Sequence, residues 1–146
     1  MNKRHFTVLF FALALDGCAT SGSSGPTTVD QQLPIISGQA FSGIIAPRAV
    51  NFPDSWTPTD DQVVQAEPTI QGCVLAEYPR LRSTLVGYFR QYSGDRVDGR
   101  KVLHVGFFDT RHYRVGALRQ PVIVVDGGGE HHFQLTFDLE SEQCAF

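Results

Sequence analysis

The sequence predicts an α+β fold in which an N-terminal helix, kinked or broken near Pro68, packs on a four-stranded antiparallel sheet. Three observations lead there. A strong helix start lies in "SWTPTDDQVVQAE", four extended apolar runs follow Pro79, and the last of those runs alternates strictly between apolar and polar residues.

In the helix start, Thr57 is placed to cap and Pro58 suits the first helical position. Asp60 and Asp61 favour the positive end of the helix dipole. Val63, Val64 and Ala66 begin an apolar face, which Pro68 interrupts because it lacks a backbone donor and clashes with the preceding turn. A second piece is expected from about Thr69 to Tyr78. Ile70, Cys73, Val74 and Glu77 are at helical spacing there, which turns Cys73 towards the core.

The four extended runs are "STLVGYFRQYSG", "RKVLHVGFFDT", "QPVIVVDGG" and "HHFQLTFDLES". In the last, Phe133, Leu135, Phe137 and Leu139 alternate with His132, Gln134, Thr136 and Asp138, as in a sheet with one buried face and one wet face. The connections "SGDRVDGR" and "DGGGE" are short, which favours antiparallel hairpins over parallel crossovers.

The first residues are not read as fold. Lys3 and Arg4 precede an apolar run from Phe6 to Leu15 and then Gly17-Cys18, the pattern of a secretory signal. That run is well short of the ~20 residues that a membrane-spanning helix needs. The expected organisation is a signal peptide over residues 1–17, a flexible tether over 18–39, lipidated as the resemblance of Leu15-Asp16-Gly17-Cys18 to a bacterial lipobox implies, and a single α+β domain over 40–146. The tether is rich in Ser, Thr, Gly and Pro, and as a coil it would reach ~25 Å. Leu33–Ile36 and Phe41–Ile45 are expected to dock on the domain as short extended segments.

Three cysteines divide by compartment. With Cys18 taking the lipid, Cys73 and Cys144 are left as a pair in an oxidising environment, where a disulfide is expected. It would close a long loop and stabilise by roughly 2–4 kcal/mol. Removing Lys3, Arg4 and Asp16 with the leader takes 12 basic and 15 acidic residues to 10 and 14, a net charge of −4. That balance, with no basic stripe, speaks against a nucleic-acid partner.

"VDGGGEHHFQ" sets glycines beside an acid and two histidines. The stretch Asp126-Gly127-Gly128-Gly129 lies between two strand patterns and reads as a hairpin turn, and it fails as a phosphate loop because no helix pattern and no Gly-Lys-Ser/Thr follows. His131 and His132 are adjacent, so in a strand they point to opposite faces and cannot easily ligate one metal together. A zinc site would need Glu130 or His132 to combine with distant ligands such as His104, His112 or Asp126. The leading reading assigns no metal and no cofactor. Tyr88, Arg90 and Tyr92 share one face of a strand and form a candidate binding surface, because arginine and tyrosine are favoured at interface hot spots. Ser83, Ser93 and Ser141 lack nucleophile-elbow context, and no carboxylate pair has a glycosidase arrangement.

Leu15-Asp16-Gly17-Cys18 resembles a bacterial lipobox, which implies that Cys18 becomes the acylated first residue of the mature chain. Ala19 in second place, rather than aspartate, is similar to lipoproteins sent to the outer membrane. "WTPTDDQVVQAE", "YFRQYSG", "GRKVLHVGFF" and "VIVVDGGGEHHFQLTFD" together resemble a group of small exported bacterial proteins of uncharacterised function. The order of helix and strands is similar to cystatin-like folds. The expectation is a non-enzymatic envelope lipoprotein, anchored at the membrane by lipid, whose domain binds another envelope protein as an inhibitor or assembly module. The runner-up is a zinc-binding protein using Glu130 and His132.

Overall fold

One helix turns on how its first turn is capped. Helix α1 spans Asp60–Glu77, and its cap is Thr59 rather than Thr57. The Thr59 hydroxyl accepts from the Gln62 backbone at 3.3 Å, and the Gln62 side chain accepts from the Thr59 backbone at 3.0 Å. This reciprocal box satisfies two otherwise orphaned donors, which moves the start two residues past the expected site. Pro68 does not break the helix, which is continuous through it. The donor that proline lacks would have met the Val64 carbonyl, and both Val64 and Pro68 lie on the exposed side, where water can serve that carbonyl.

The computed structural model describes residues 32–49, 52–120 and 129–146. Its strands are β1 (Ile35–Gly38), β2 (Phe41–Ile45), β3 (Tyr88–Val97), β4 (Arg100–Asp109), β5 (His132–Asp138) and β6 (Cys144–Ala145), with a short helix α2 (Val115–Leu118) between β4 and β5. They form one six-stranded sheet in sequence order. Among the described residues the sheet thus has six strands rather than four, with three of the expected runs present as β3, β4 and β5. The docked segments proved to be true strands, and Ile35–Gly38 belongs to the sheet rather than to the tether. The helix is not N-terminal in the fold either, because β1 and β2 precede it.

All pairings are antiparallel except β2 with β3, which run parallel from Ser42↔Phe89 to Ile45↔Tyr92. A parallel pair needs a crossover, and the long segment containing α1 supplies it. The expected strand "QPVIVVDGG" and the Asp126-Gly127-Gly128 turn fall mainly on residues outside those described.

The β3–β4 hairpin turns at Asp98-Gly99, with φ of 52° and 79°. Two positive φ values in a two-residue loop match the twist of the flanking strands, and glycine adopts one of them without steric cost. Farther along β3, Gly94 is where Trp56 rests on the sheet. The Trp56 backbone donates to the Gly94 carbonyl at 3.0 Å, and a Cβ on Gly94 would meet the indole at 2.6 Å.

Period two in the strands sorts side chains onto two faces. Towards α1 lie Tyr88, Tyr92, Leu103, Val105, Phe107, Leu135 and Phe137, packed against Val63, Ala66, Ile70 and Val74. Each buried Val or Ile on the helix contributes roughly 1.5–3 kcal/mol relative to exposure. Ile44, Phe89, Phe108 and Leu118 form a smaller cluster on the other face, so this side is covered in part by α2. The expected alternation of Phe133, Leu135, Phe137 and Leu139 towards the helix is present.

The disulfide joins Cys73 on α1 to Cys144 on β6, across a sequence separation of 71 residues. It fastens the helix to the last strand of the sheet.

Candidate functional site

The end of β4 brings a carboxylate and two imidazoles together. In the β4–β5 register Phe108 is opposite His132, so the next residue on β4, Asp109, comes to the level of His131 at the start of β5. After Asp109 the chain turns tightly, its carbonyl accepting from the backbones of His112 at 2.9 Å and Tyr113 at 3.0 Å. That turn carries His112 back over the same carboxylate. A 3₁₀ turn at Gly129–His131 presents His131 from the other side.

Asp109 Oδ2 is the meeting point. It lies 3.4 Å from Nδ1 of His112 and 3.4 Å from Nδ1 of His131. The two imidazoles stack, with ring centroids 3.5 Å apart. Arg111 clasps the same carboxylate, with Nε donating at 2.9 Å to Oδ1 and Nη2 at 2.6 Å to Oδ2. The Asp109 side chain is 2 % exposed, whereas Arg111 is 66 % and each histidine 48 % exposed. Hydrogen bonds from Arg111 hold the Asp109 carboxyl well below the usual carboxylate range, against the opposing effect of its burial. It stays an anion in ordinary buffers. Tyr88, whose hydroxyl donates to the Glu130 carbonyl at 2.8 Å, is pushed up by burial and by the Asp109 charge.

Among the described residues, Asp109, His112 and His131 are the group of His, Cys, Asp and Glu side chains placed to hold a metal ion, their ligand atoms all within 4.8 Å of one another. The zinc reading built on Glu130 and His132 is therefore corrected. Glu130 pairs with Arg80 at 2.5 Å, out on the surface. His132 is buried against Phe108, ring centroids 4.5 Å apart, and burial lowers its pKa. His131 is in the 3₁₀ turn and not in the strand that begins at His132, and it is His131 that joins the cluster. Of the distant ligands, His112 takes part. His104 does not, contacting Thr136 at 3.0 Å and Asp95 at 3.7 Å instead, and Asp126 lies outside the described residues. A D-x-x-H spacing at Asp109 and His112 was present in the sequence, but only the register across β4 and β5 adds His131 to it.

The candidate surface of Tyr88, Arg90 and Tyr92 is also corrected. The three share one face, but that face lies under α1, with exposures of 2 %, 0 % and 0 %. Period two places the three side chains together, and which side the helix covers does not follow from it. Tyr92 donates to Glu67 Oε1 at 2.5 Å, and Arg90 Nε lies 3.2 Å from the same oxygen. Arg90 Nη1 donates to the Tyr88 carbonyl at 2.8 Å, and the guanidinium carbon lies 5.2 Å from the centre of the Phe107 ring and 5.9 Å from that of Phe41. Burial and the Glu67 charge push the Tyr92 hydroxyl far up, so it remains a donor. Cys18 lies outside the described residues.

No protein-family description, curated protein or solved structure matches this chain.

Proposed function

We propose that the protein is a non-enzymatic envelope lipoprotein, anchored through Cys18 at the periplasmic face of the outer membrane, whose domain captures an extended segment of another envelope protein. The observation that carries the reading is the edge strand β1. Among the described residues it hydrogen-bonds to β2 on one side only, and Ile35 on it is 46 % exposed. An open edge is a template for a further strand, with main-chain hydrogen bonds supplying affinity and side-chain pockets supplying selectivity. The Cys73–Cys144 bond supports an oxidising, extracytoplasmic compartment. Position in the chain adds to this, because β1 follows directly on the proposed tether.

The test is in-cell crosslinking of the full-length protein, followed by mass spectrometry of captured partners. One envelope protein is expected at stoichiometric yield. Capture should be lost in Cys18→Ala, which removes the anchor, and in Ile35→Lys, which places a charge on the strand edge without touching the core. Capture that survives Ile35→Lys would overturn the edge as the binding element.

A further inference from the structure

We propose that Asp109, His112 and His131 form a binding site for a divalent transition cation of the zinc class, in which Arg111 occupies the cation's place until the metal arrives. This goes beyond the protein-capture reading and does not depend on it.

The geometry carries the argument. At 3.4 Å, the two contacts between Nδ1 and Oδ2 are long for hydrogen bonds, which favour about 2.7–3.2 Å. These two edges match a coordination tetrahedron, since ligands bound at 2.0–2.1 Å stand about 3.3–3.4 Å apart, and the third, within 4.8 Å, closes when the stacked imidazoles turn their Nδ1 atoms to one point. Two imidazoles and one carboxylate are also the donor set that suits zinc, copper, iron or nickel rather than calcium or magnesium. Three protein ligands leave a fourth position open, and the 48 % exposure of both histidines opens it to water.

A second observation points the same way: the carboxylate already holds a cation. Arg111 Nη2 sits 2.6 Å from the very oxygen that both histidines approach. Its guanidinium is 66 % exposed, so it can leave for water at small cost once a metal takes the oxygen. The ligand set is held from behind. Asp109 is the last residue of β4, its carbonyl receives two backbone donors from the turn, and the β4–β5 ladder ends beside His131. Binding through Nδ1 needs both imidazoles neutral, so protons compete with the metal and affinity falls in acid.

The experiment is titration of the purified full-length chain in detergent, first stripped with chelator, using Zn(II) by calorimetry and Co(II) by visible absorption. One equivalent of zinc should bind, and Co(II) should give the intense ligand-field bands of a tetrahedral centre. His112→Ala and His131→Ala remove exposed side chains and should leave folding intact, while each weakens zinc binding by more than about a hundredfold, beyond what loss of an outer-shell partner costs. His104→Ala should change nothing, and Arg111→Ala should tighten binding several-fold by removing the competitor. Absence of stoichiometric zinc, persistence of binding in the His112/His131 double variant, or weaker binding in Arg111→Ala would each overturn the proposal.

Discussion

Two carboxylates in this domain are each met by an arginine, and their surroundings could hardly differ more. Glu67 and Arg90 lie between α1 and the sheet, each about wholly buried, with Tyr92 sharing the same oxygen. Asp109 is equally buried, but its partner Arg111 reaches it from water, and two half-exposed histidines crowd the same oxygen. The first pair cannot change partners without leaving a charge stranded in an apolar interior. The second can exchange one cation for another at the surface. What separates a structural ion pair from an exchangeable site is therefore not the acid, which is dry in both places, but whether its cation has water to return to.

The largest expected effect tests the dry pair. Arg90→Ala leaves Glu67 uncompensated and should cost about 3–5 kcal/mol of stability, read from denaturant unfolding. Arg111→Ala in the same assay should lower the midpoint by clearly less than Arg90→Ala, because two half-exposed histidines remain beside the Asp109 carboxylate it uncovers. If the two variants are equally damaging, the contrast between the sites fails. A triple replacement of Glu67, Arg90 and Tyr92 by Leu, Met and Phe sharpens it, since a well-packed apolar substitute is expected to be neutral or stabilising.

A smaller effect concerns what holds the helix carrying Glu67 in place. Cys144→Ser frees α1 from β6 and should lower stability by roughly 2–4 kcal/mol, without altering zinc binding at the distant Asp109 cluster. Loss of that binding would show that the two regions are coupled.

The smallest expected effect lies between the extremes. His104 is 27 % exposed, and burial lowers its pKa below the ordinary 6.5 despite the opposing pull of Asp95. Because the folded state binds its proton less readily than the unfolded chain, its contribution is complete above about pH 6.5 and is lost as pH falls through the lowered value. Thermal midpoints followed downward from pH 7 should decline over that window, and His104→Gln should flatten the decline. An unchanged slope in the variant would assign the acid sensitivity elsewhere.

Much of the architecture was legible along the chain. Alternation from Phe133 to Leu139 marked β5 and its buried face, the short "SGDRVDGR" connection implied a hairpin, whose turn is confined to Asp98-Gly99, and the two cysteines of the domain implied their bond. These are local signals, or simple counts, and they need no knowledge of which segments meet. The short runs at Ile35–Gly38 and Phe41–Ile45 carried too little periodicity to be read as more than docked segments, and the parallel β2–β3 pairing has no local signature at all.

The sequence by itself determined the class of elements, the pairing of Cys73 with Cys144 and the period that groups Tyr88, Arg90 and Tyr92 on one face. Only the tertiary structure decided that α1 covers that face, which turned a candidate surface into a buried network around Glu67. It likewise decided that Asp109 meets His131 rather than Glu130 meeting a distant histidine. The reason is physical: periodicity follows from the backbone geometry of one segment, whereas register and coverage are set by packing between segments far apart in sequence. A one-residue slip between β4 and β5 would preserve every local pattern and abolish the site.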